Sequence, residues 1–255
     1  MKRSEIFRFL VLRTVGNFLV LFAIFGILAT FGPALYYEVS LKIAQTRGVR
    51  YIVMATNEIR SIAPTTAFAT SSAKLTPSPA PSQEPIKQEP LGIANFAAVL
   101  TGPKEQVLTP IDTNFSIIIP SIGASARVYP NVNPANSNDF LPVLQKGVAH
   151  AKGTVFPGQR GNIYLFAHST DSFWDVGRYN AVFYLLKDVR EGDEIVIFFK
   201  GVRHNYTVTG SKIISPSDVS YIVNAQNQTQ EQLILQTCWP PGTTFQRLLV
   251  FAKPK

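Results

Sequence analysis

The chain of 255 residues has only one cysteine and three histidines, and charged side chains make up just 16% of it. A single thiol excludes a disulfide within the chain and leaves Cys238 free to act as a nucleophile. The three histidines and the scattered carboxylates show no spacing typical of a zinc or calcium site. The sequence therefore predicts neither a metal site nor a cofactor.

The net charge of +8 lacks the pattern that nucleic-acid-binding proteins show. Lysine and arginine are scattered, without a basic tract and without interleaved aromatic residues. We therefore expect no nucleic acid partner. The excess of positive charge instead fits a surface near anionic lipid or envelope polymer.

One long apolar run, residues 15–37, departs from this ordinary composition. At about 1.5 Å of rise per residue, a helix of this length crosses a bilayer core of about 30 Å. A cleaved signal peptide would have a shorter apolar region, and a buried soluble helix is rarely apolar on all sides. We predict an uncleaved, single membrane-spanning helix.

The flanking segments indicate how the rest of the chain is organised. Basic residues are slightly more numerous before the apolar run, in residues 1–14, than directly after it. This bias predicts that the N-terminus lies in the cytoplasm and the C-terminal part outside the cell. Residues 38–62 carry mixed charge and either continue the helix or lie along the membrane. Residues 63–112 are rich in Pro, Ser and Thr, which predicts an extended, disordered extracellular stalk with a short docking helix at 93–100.

Residues 113–255 have the pattern of an all-β domain with short helices. Short apolar or alternating runs, rich in β-branched and aromatic residues and bounded by turn residues, are typical of strands. The predicted strands are 115–119, 126–129, 163–167, 194–199, 205–209, 233–237 and 248–251. The best candidate for a short helix is 180–186. This pattern predicts a closed barrel or a sandwich.

Three polar residues lie at the ends of predicted strands. Cys238 follows strand 233–237, and Arg247 precedes strand 248–251, where its guanidinium can stabilise negative charge near the thiol. His168 ends strand 163–167 and could face Cys238 across a groove. The alternative for Cys238 is a buried structural cysteine.

Three segments together resemble the sortase family, the cysteine transpeptidases of bacterial cell surfaces. Residues 147–168 are similar to the segment that leads to the family's catalytic histidine. Leu-Gln-Thr-Cys at 235–238 is similar to its threonine–cysteine signature, and 247–250 to its arginine strand. Each motif is weak alone, but the three in this order are specific. The flanks of His168, alanine and serine, depart from the family's usual glycine and frequent arginine.

The resemblance implies an eight-stranded sortase β-barrel and a catalytic role for three residues. Cys238 would attack a peptide carbonyl and form a thioacyl enzyme. His168 would move protons between the amines, and Arg247 would hold substrate or stabilise the oxyanion. Thr237 and His150 are expected to bind substrate, with a plain strand residue and a structural histidine as the alternatives.

The implied substrates are surface proteins with a C-terminal sorting signal of the LPXTG kind. The implied acceptor is an amine on a cell-wall precursor or on a pilin. The protein would be a single-pass protein of the cell membrane, held by residues 15–37, with its catalytic domain on the extracellular face.

The subclass is predicted from the short connection between Cys238 and Arg247. By resemblance, a short loop containing Pro-Pro-Gly indicates the housekeeping-like or pilin-type members. No second span follows before Lys255 and no inhibitory lid is visible at 103–112, which favours envelope anchoring. The alternatives are a pilin-polymerising sortase and a catalytically inactive, membrane-tethered binding barrel. A papain-like hydrolase is disfavoured because its cysteine precedes an N-terminal helix.

Overall fold

The computed structural model describes residues 3–54, 102, 104–169 and 182–255. The short helix predicted at 93–100 and most of the predicted stalk lie outside these residues. The described chain forms one long helix, a small two-stranded sheet and a closed β-barrel.

The elements have the following bounds in chain order. The α-helices are α1 Arg3–Arg47, α2 Ser137–Leu144 and α3 Ser220–Val223. The 3₁₀ helices are η1 Pro120–Ile122, η2 Tyr184–Asp188 and η3 Ala225–Asn227. The strands are β1 Arg50–Val53, β2 Glu105–Leu108, β3 Phe115–Ile119, β4 Ala124–Val132, β5 Val148–Ala151, β6 Gly161–Phe166, β7 Glu194–Phe199, β8 Val202–Ile214, β9 Glu231–Trp239 and β10 Gln246–Pro254.

The eight strands from β3 to β10 close into a barrel in the order β10-β8-β7-β3-β4-β5-β6-β9, which confirms the predicted eight-stranded barrel. The β4–β5 and β6–β9 pairs are parallel, and the other neighbours are antiparallel. Strands β3, β6 and β9 therefore run in the same direction. They end at one end of the barrel, which we call the upper end.

The barrel interior and its outer layer are both apolar. Along β9, Leu233 and Leu235 belong to the interior core, whereas Ile234 packs in an outer cluster with residues of α2 and α3. Burial on both faces explains why β3 is an uninterrupted apolar run with all five residues buried. Residues of η2 join the interior core and so close the upper end.

Helix α1 contains the predicted span. Its stretch Phe7–Leu28, with a hydropathy of 2.1, is long and apolar enough to cross a membrane, and its side chains are not packed against other parts of the described chain. This stretch begins before the predicted range 15–37. The helix continues to Arg47, so the first part of the juxtamembrane segment 38–62 is helical.

The chain reaches the barrel immediately after this helix. Strand β1 pairs in parallel with β2, although the two are far apart in sequence. Val53 of β1 packs in one buried cluster with Ile118, Val196 and Phe198 of the barrel. The sequence predicts an extended stalk over residues 63–112. Residues 104–112, which the structure describes, lie instead on the barrel beside the end of α1.

Local differences from the predicted strands have physical reasons. β4 continues through Pro130 because the β4–β5 register shifts between Tyr129 and Val132, so proline's missing N–H interrupts no ladder bond there. The predicted helix at 180–186 is described only from residue 182, and this part leads into the 3₁₀ helix η2.

Candidate active site

Strand β9 lies between β6 and β10 and brings the three predicted catalytic residues into one row. Arg247 of β10 is the direct register partner of Cys238. On the other side, Phe166 pairs with Gln236, and the Ala167 N–H continues the ladder to the Gln236 oxygen at 3.1 Å. His168 lies two residues after Phe166, and Cys238 lies two residues after Gln236. Since neighbouring strands lie about 4.8 Å apart, the three residues are adjacent at the upper end.

The row faces outward from the barrel. Successive residues of a strand point to opposite faces. Ala167 belongs to the interior core and Thr237 is buried beside it, so His168 and Cys238 lie on the outer face. Leu249 packs in the outer cluster, and Arg247 shares its face. The three side chains are half-buried, which leaves them accessible from the barrel surface.

Arg247 is held by its own loop. Its Nη1 donates hydrogen bonds to the Thr244 oxygen at 3.0 Å and the Gln246 oxygen at 3.1 Å. No acceptor for the other guanidinium N–H groups is found among residues 104–169 and 182–255 or the described N-terminal part. A guanidinium has five N–H donors in a planar fork, so this one retains donors for a substrate oxygen.

Thr237, expected at the substrate, lies behind the row. It is only 2% exposed and belongs to the inward-facing side of β9. Its hydroxyl donates to the Ala167 oxygen at 3.2 Å. This bond ties β9 to β6 one residue before Cys238 and His168, so it fixes the spacing between thiol and imidazole.

His150, also expected at the substrate, is completely buried in the barrel interior. Its Nδ1 accepts from the Asn131 N–H at 3.3 Å, which places the proton on Nε2, where it is donated to the Val155 oxygen at 3.0 Å. Its ring stacks on Phe156 at 4.4 Å. Burial lowers the pKa of His150, and the hydrogen bond to Val155 opposes this shift. The ring therefore serves the core as a neutral group.

A polar pair that sequence reasoning missed forms the floor beside the row. The Tyr164 hydroxyl donates to Gln236 Oε1 at 2.6 Å, and Tyr164 is only 2% exposed. Burial raises the pKa of Tyr164, and the positive charge of Arg247 opposes the shift. The signal was available in the sequence, because Tyr164 and Gln236 share the alternation of His168 and Cys238 along their strands.

The arrangement can support covalent acyl transfer. A thiol provides the nucleophile, an adjacent imidazole can carry protons, and a guanidinium can stabilise an oxyanion. Among the described residues, no group of three or more His, Cys, Asp or Glu side chains could hold a metal ion.

Comparison with known proteins gives consistent results. The family model "Sortase domain" matches residues 117–255. Sortase D of Bacillus subtilis (strain 168) is 28% identical over 138 residues, which cover 53% of this chain and 60% of that protein. This chain thus matches about three fifths of that relative's length.

Solved structures with similarity to the chain include sortases of several classes. Sortase C1 of GBS Pilus Island 1 is 26% identical, with a TM-score of 0.47 over 55% of this chain and 63% of that one. Sortase A from Corynebacterium diphtheriae is 28% identical, with a TM-score of 0.46 over 56% of this chain and 60% of that one. The family model covers more than half of the chain and includes His168, Cys238 and Arg247. The chain belongs to the sortase family.

Proposed function

We propose that the protein is a cysteine transpeptidase that cleaves a sorting signal and joins the released carbonyl to an amine. The observation that carries this proposal is the row of His168, Cys238 and Arg247 on three adjacent strands. Membership in the sortase family supports transpeptidase activity in general terms.

In the first half of the proposed reaction, the Cys238 thiolate attacks the carbonyl carbon of the scissile peptide bond. The carbonyl oxygen becomes an oxyanion beside the Arg247 guanidinium. His168 donates its proton to the leaving amine nitrogen, the C–N bond breaks, and a thioester on Cys238 remains.

In the second half, an acceptor amine attacks the thioester carbonyl. His168 takes the proton from this amine, and the C–S bond breaks to release the Cys238 thiolate. A new peptide bond replaces the old one, so the reaction needs no external energy source and no cofactor. Water in place of the amine would give hydrolysis.

The proposed donor is a protein with an LPXTG-like C-terminal signal, and the proposed acceptor is an amine of the cell envelope. Membership in the sortase family supports this proposal in general terms. The side chains of His168, Cys238 and Arg247 are half-buried, so a peptide on the barrel surface can reach the Cys238 thiol.

The proposed location is the cell membrane, with α1 as a single anchor and the barrel outside the cell. The apolar stretch Phe7–Leu28 supports the anchor. Protease protection in intact and lysed cells tests this topology. Cleavage between residues 77 and 90 in intact cells supports it, and protection of that region until lysis would reverse it.

Within the family, we propose anchoring of proteins to the envelope over joining of pilins. The support is strand β2 (Glu105–Leu108), which pairs with β1 and packs beside β3 and β7, so it does not cover the catalytic row. The short connection between β9 and β10, in which Trp239 pairs with Gln246, fits both subclasses. A Thr243 N–H bond to the Pro240 oxygen at 3.0 Å keeps this connection compact.

The test is a ligation assay with the full chain in detergent. A library of sorting-signal peptides is incubated with glycine-based amines or with a lysine-containing pilin peptide, and ligation products are identified by mass spectrometry. We expect ligation to the glycine-based amines, and its loss in Cys238→Ala, His168→Ala and Arg247→Ala. His204→Ala, at a half-buried position on β8, is the matched histidine control and should retain activity. Ligation by Cys238→Ala would contradict the mechanism, and efficient joining through lysine would contradict the subclass.

A further inference from the structure

The C-terminal part of α1 packs against the barrel. Leu41 is 9% exposed and Ala44 is 3% exposed, and Leu41 belongs to the same buried cluster as the barrel interior. The Glu38 carboxylate contacts Lys187 Nζ at 2.5 Å and accepts a hydrogen bond from the Tyr184 hydroxyl at 3.2 Å. Helix α1 is therefore joined to η2 by apolar burial and by an ion pair.

The strand after the helix extends this contact. The Tyr51 ring lies over Gly123, where a Cβ atom would come within 3.1 Å of the ring, and Gly123 has a φ of +63°. Arg203 of β8 donates to the Met54 oxygen at 3.2 Å. Together with the buried Val53, these contacts attach 38–54 to the barrel from η1 and η2 at the upper end, along β3 and β7, toward the lower end.

The part of this attachment that α1 makes lies at the same end of the barrel as the catalytic row. Strands β3, β6 and β9 end there, followed by η1, His168 and the segment after Cys238, respectively. Helix η2 precedes β7, which begins at that end because β7 is antiparallel to β3. In the closed barrel, β3 is four strands from β9 in either direction. Helix α1 thus docks at the upper end, across the barrel from the row.

The distance to the apolar stretch is short. Glu38 lies ten residues after Leu28 in one continuous helix, and at about 1.5 Å of rise per residue this is about 15 Å. A bilayer's headgroup layer is about 5–7 Å thick on each side of its core, so Glu38 lies within about 10 Å of the outer edge of that layer.

We propose that α1 and the barrel form one rigid unit that holds the upper end, with its catalytic row, against the lipid surface. This inference rests on the proposed membrane anchoring. It assigns the partner as a lipid surface and the substrates as peptides and amines that are themselves held close to the bilayer. The residues between 54 and 104 then start and return on the barrel surface, at opposite ends of the parallel β1–β2 pair, so their length does not set the height of Cys238 above the bilayer.

The first test separates docking from a stalk by cutting the chain. A specific protease site is placed between residues 77 and 90 of the full-length protein in vesicles. After complete cleavage, we expect the barrel to stay with the vesicles, held by 38–54. Leu41→Asp should release it, whereas Val39→Asp, at a position 44% exposed on the same helix, should not. Release of the barrel from the vesicles after cleavage of the chain that carries neither substitution would overturn the proposal.

A charge reversal provides a second variant with the barrel core unchanged. The substitution Lys187→Glu places a second negative charge beside Glu38 and should increase release of the barrel from the vesicles after cleavage. The double variant with Glu38→Lys restores the pair and should restore retention. Equal release from the single and double variants would show that this contact does not hold the barrel.

The second test measures orientation without requiring activity. A spin label on Cys238 is compared with one on Val202→Cys in a Cys238→Ala background, since Val202 lies at the opposite end of the barrel and is 55% exposed. Nickel-chelating lipid headgroups should relax the label at 238 more strongly. Equal relaxation, or stronger relaxation at 202, would overturn the proposal, whereas the ligation assay reports separately on the proposed function.

Discussion

His150 and His168 should respond to substitution in opposite ways. His150→Ala should weaken the fold and leave the chemistry, because its ring lies in the core and not on the catalytic face. His168→Ala should remove the proton carrier and leave the fold. Comparing these two variants separates a structural histidine from a catalytic one.

The cost of His150→Ala can be estimated from the contacts of the ring. The substitution leaves the Asn131 N–H and the Val155 oxygen without their partner, at about 1 kcal/mol each. It also removes the stacking on Phe156, which contributes about 1 kcal/mol. The total is about 3 kcal/mol. At about 3 °C per kcal/mol for a domain of this size, the midpoint of thermal unfolding should fall by about 9 °C.

The assay is thermal unfolding followed by circular dichroism, combined with ligation activity at a temperature where both variants are folded. His204→Ala, half-buried on β8, is the control for loss of a histidine as such. We expect His150→Ala to keep most ligation activity and His168→Ala to lose several orders of magnitude. An unchanged midpoint in His150→Ala together with abolished ligation would refute the assignment of both residues.

Three further predictions concern other contacts. Acidification should destabilise the barrel, because the pKa of the buried His150 lies below its ordinary value of 6.5. The contribution of the neutral ring to the free energy of unfolding is complete above pH 6.5 and is lost as the pH falls below that value. Between pH 7.5 and pH 5, the midpoint of thermal unfolding should fall less in His150→Gln than in the native chain. Tyr164→Phe removes the donor to Gln236 and should cost about 1 kcal/mol in chemical denaturation. Glu231→Ala leaves the buried Tyr206 hydroxyl without its acceptor and should cost about 2 kcal/mol, with ligation retained at 25 °C.

Strands with strong local patterns could be predicted from the sequence. Phe115–Ile119 is β-branched and apolar and ends at Pro120, and β3 has the predicted bounds. The strand Val148–Ala151 was missed because it is short and half alanine, and its conformation depends on pairing with β4 and β6. Strand propensity alone cannot report such pairing.

The catalytic row could be predicted in part. Cys238, His168 and Arg247 each lie at a strand end, which local sequence shows, but their adjacency depends on β9 lying between β6 and β10. That order is a property of the whole barrel. The resemblance to sortases supplied it in place of a physical derivation.

The docking of α1 could not be predicted. Strand β1 has four residues, and its partner β2 lies more than fifty residues away, beyond a Pro-rich segment. The Pro-rich composition indicates chain that cannot form a core of its own, but it does not show where the two ends of that chain attach.

The most direct test of the account is the location of the covalent intermediate. The full chain is incubated with a sorting-signal peptide without acceptor amine, quenched in acid, and analysed by intact mass and peptide mapping. We expect a mass increase equal to the acyl part of the peptide, located on Cys238, and its absence in Cys238→Ser. Cleavage of the peptide by Cys238→Ala, or an adduct on any other residue, would contradict the assignment of Cys238 as the nucleophile.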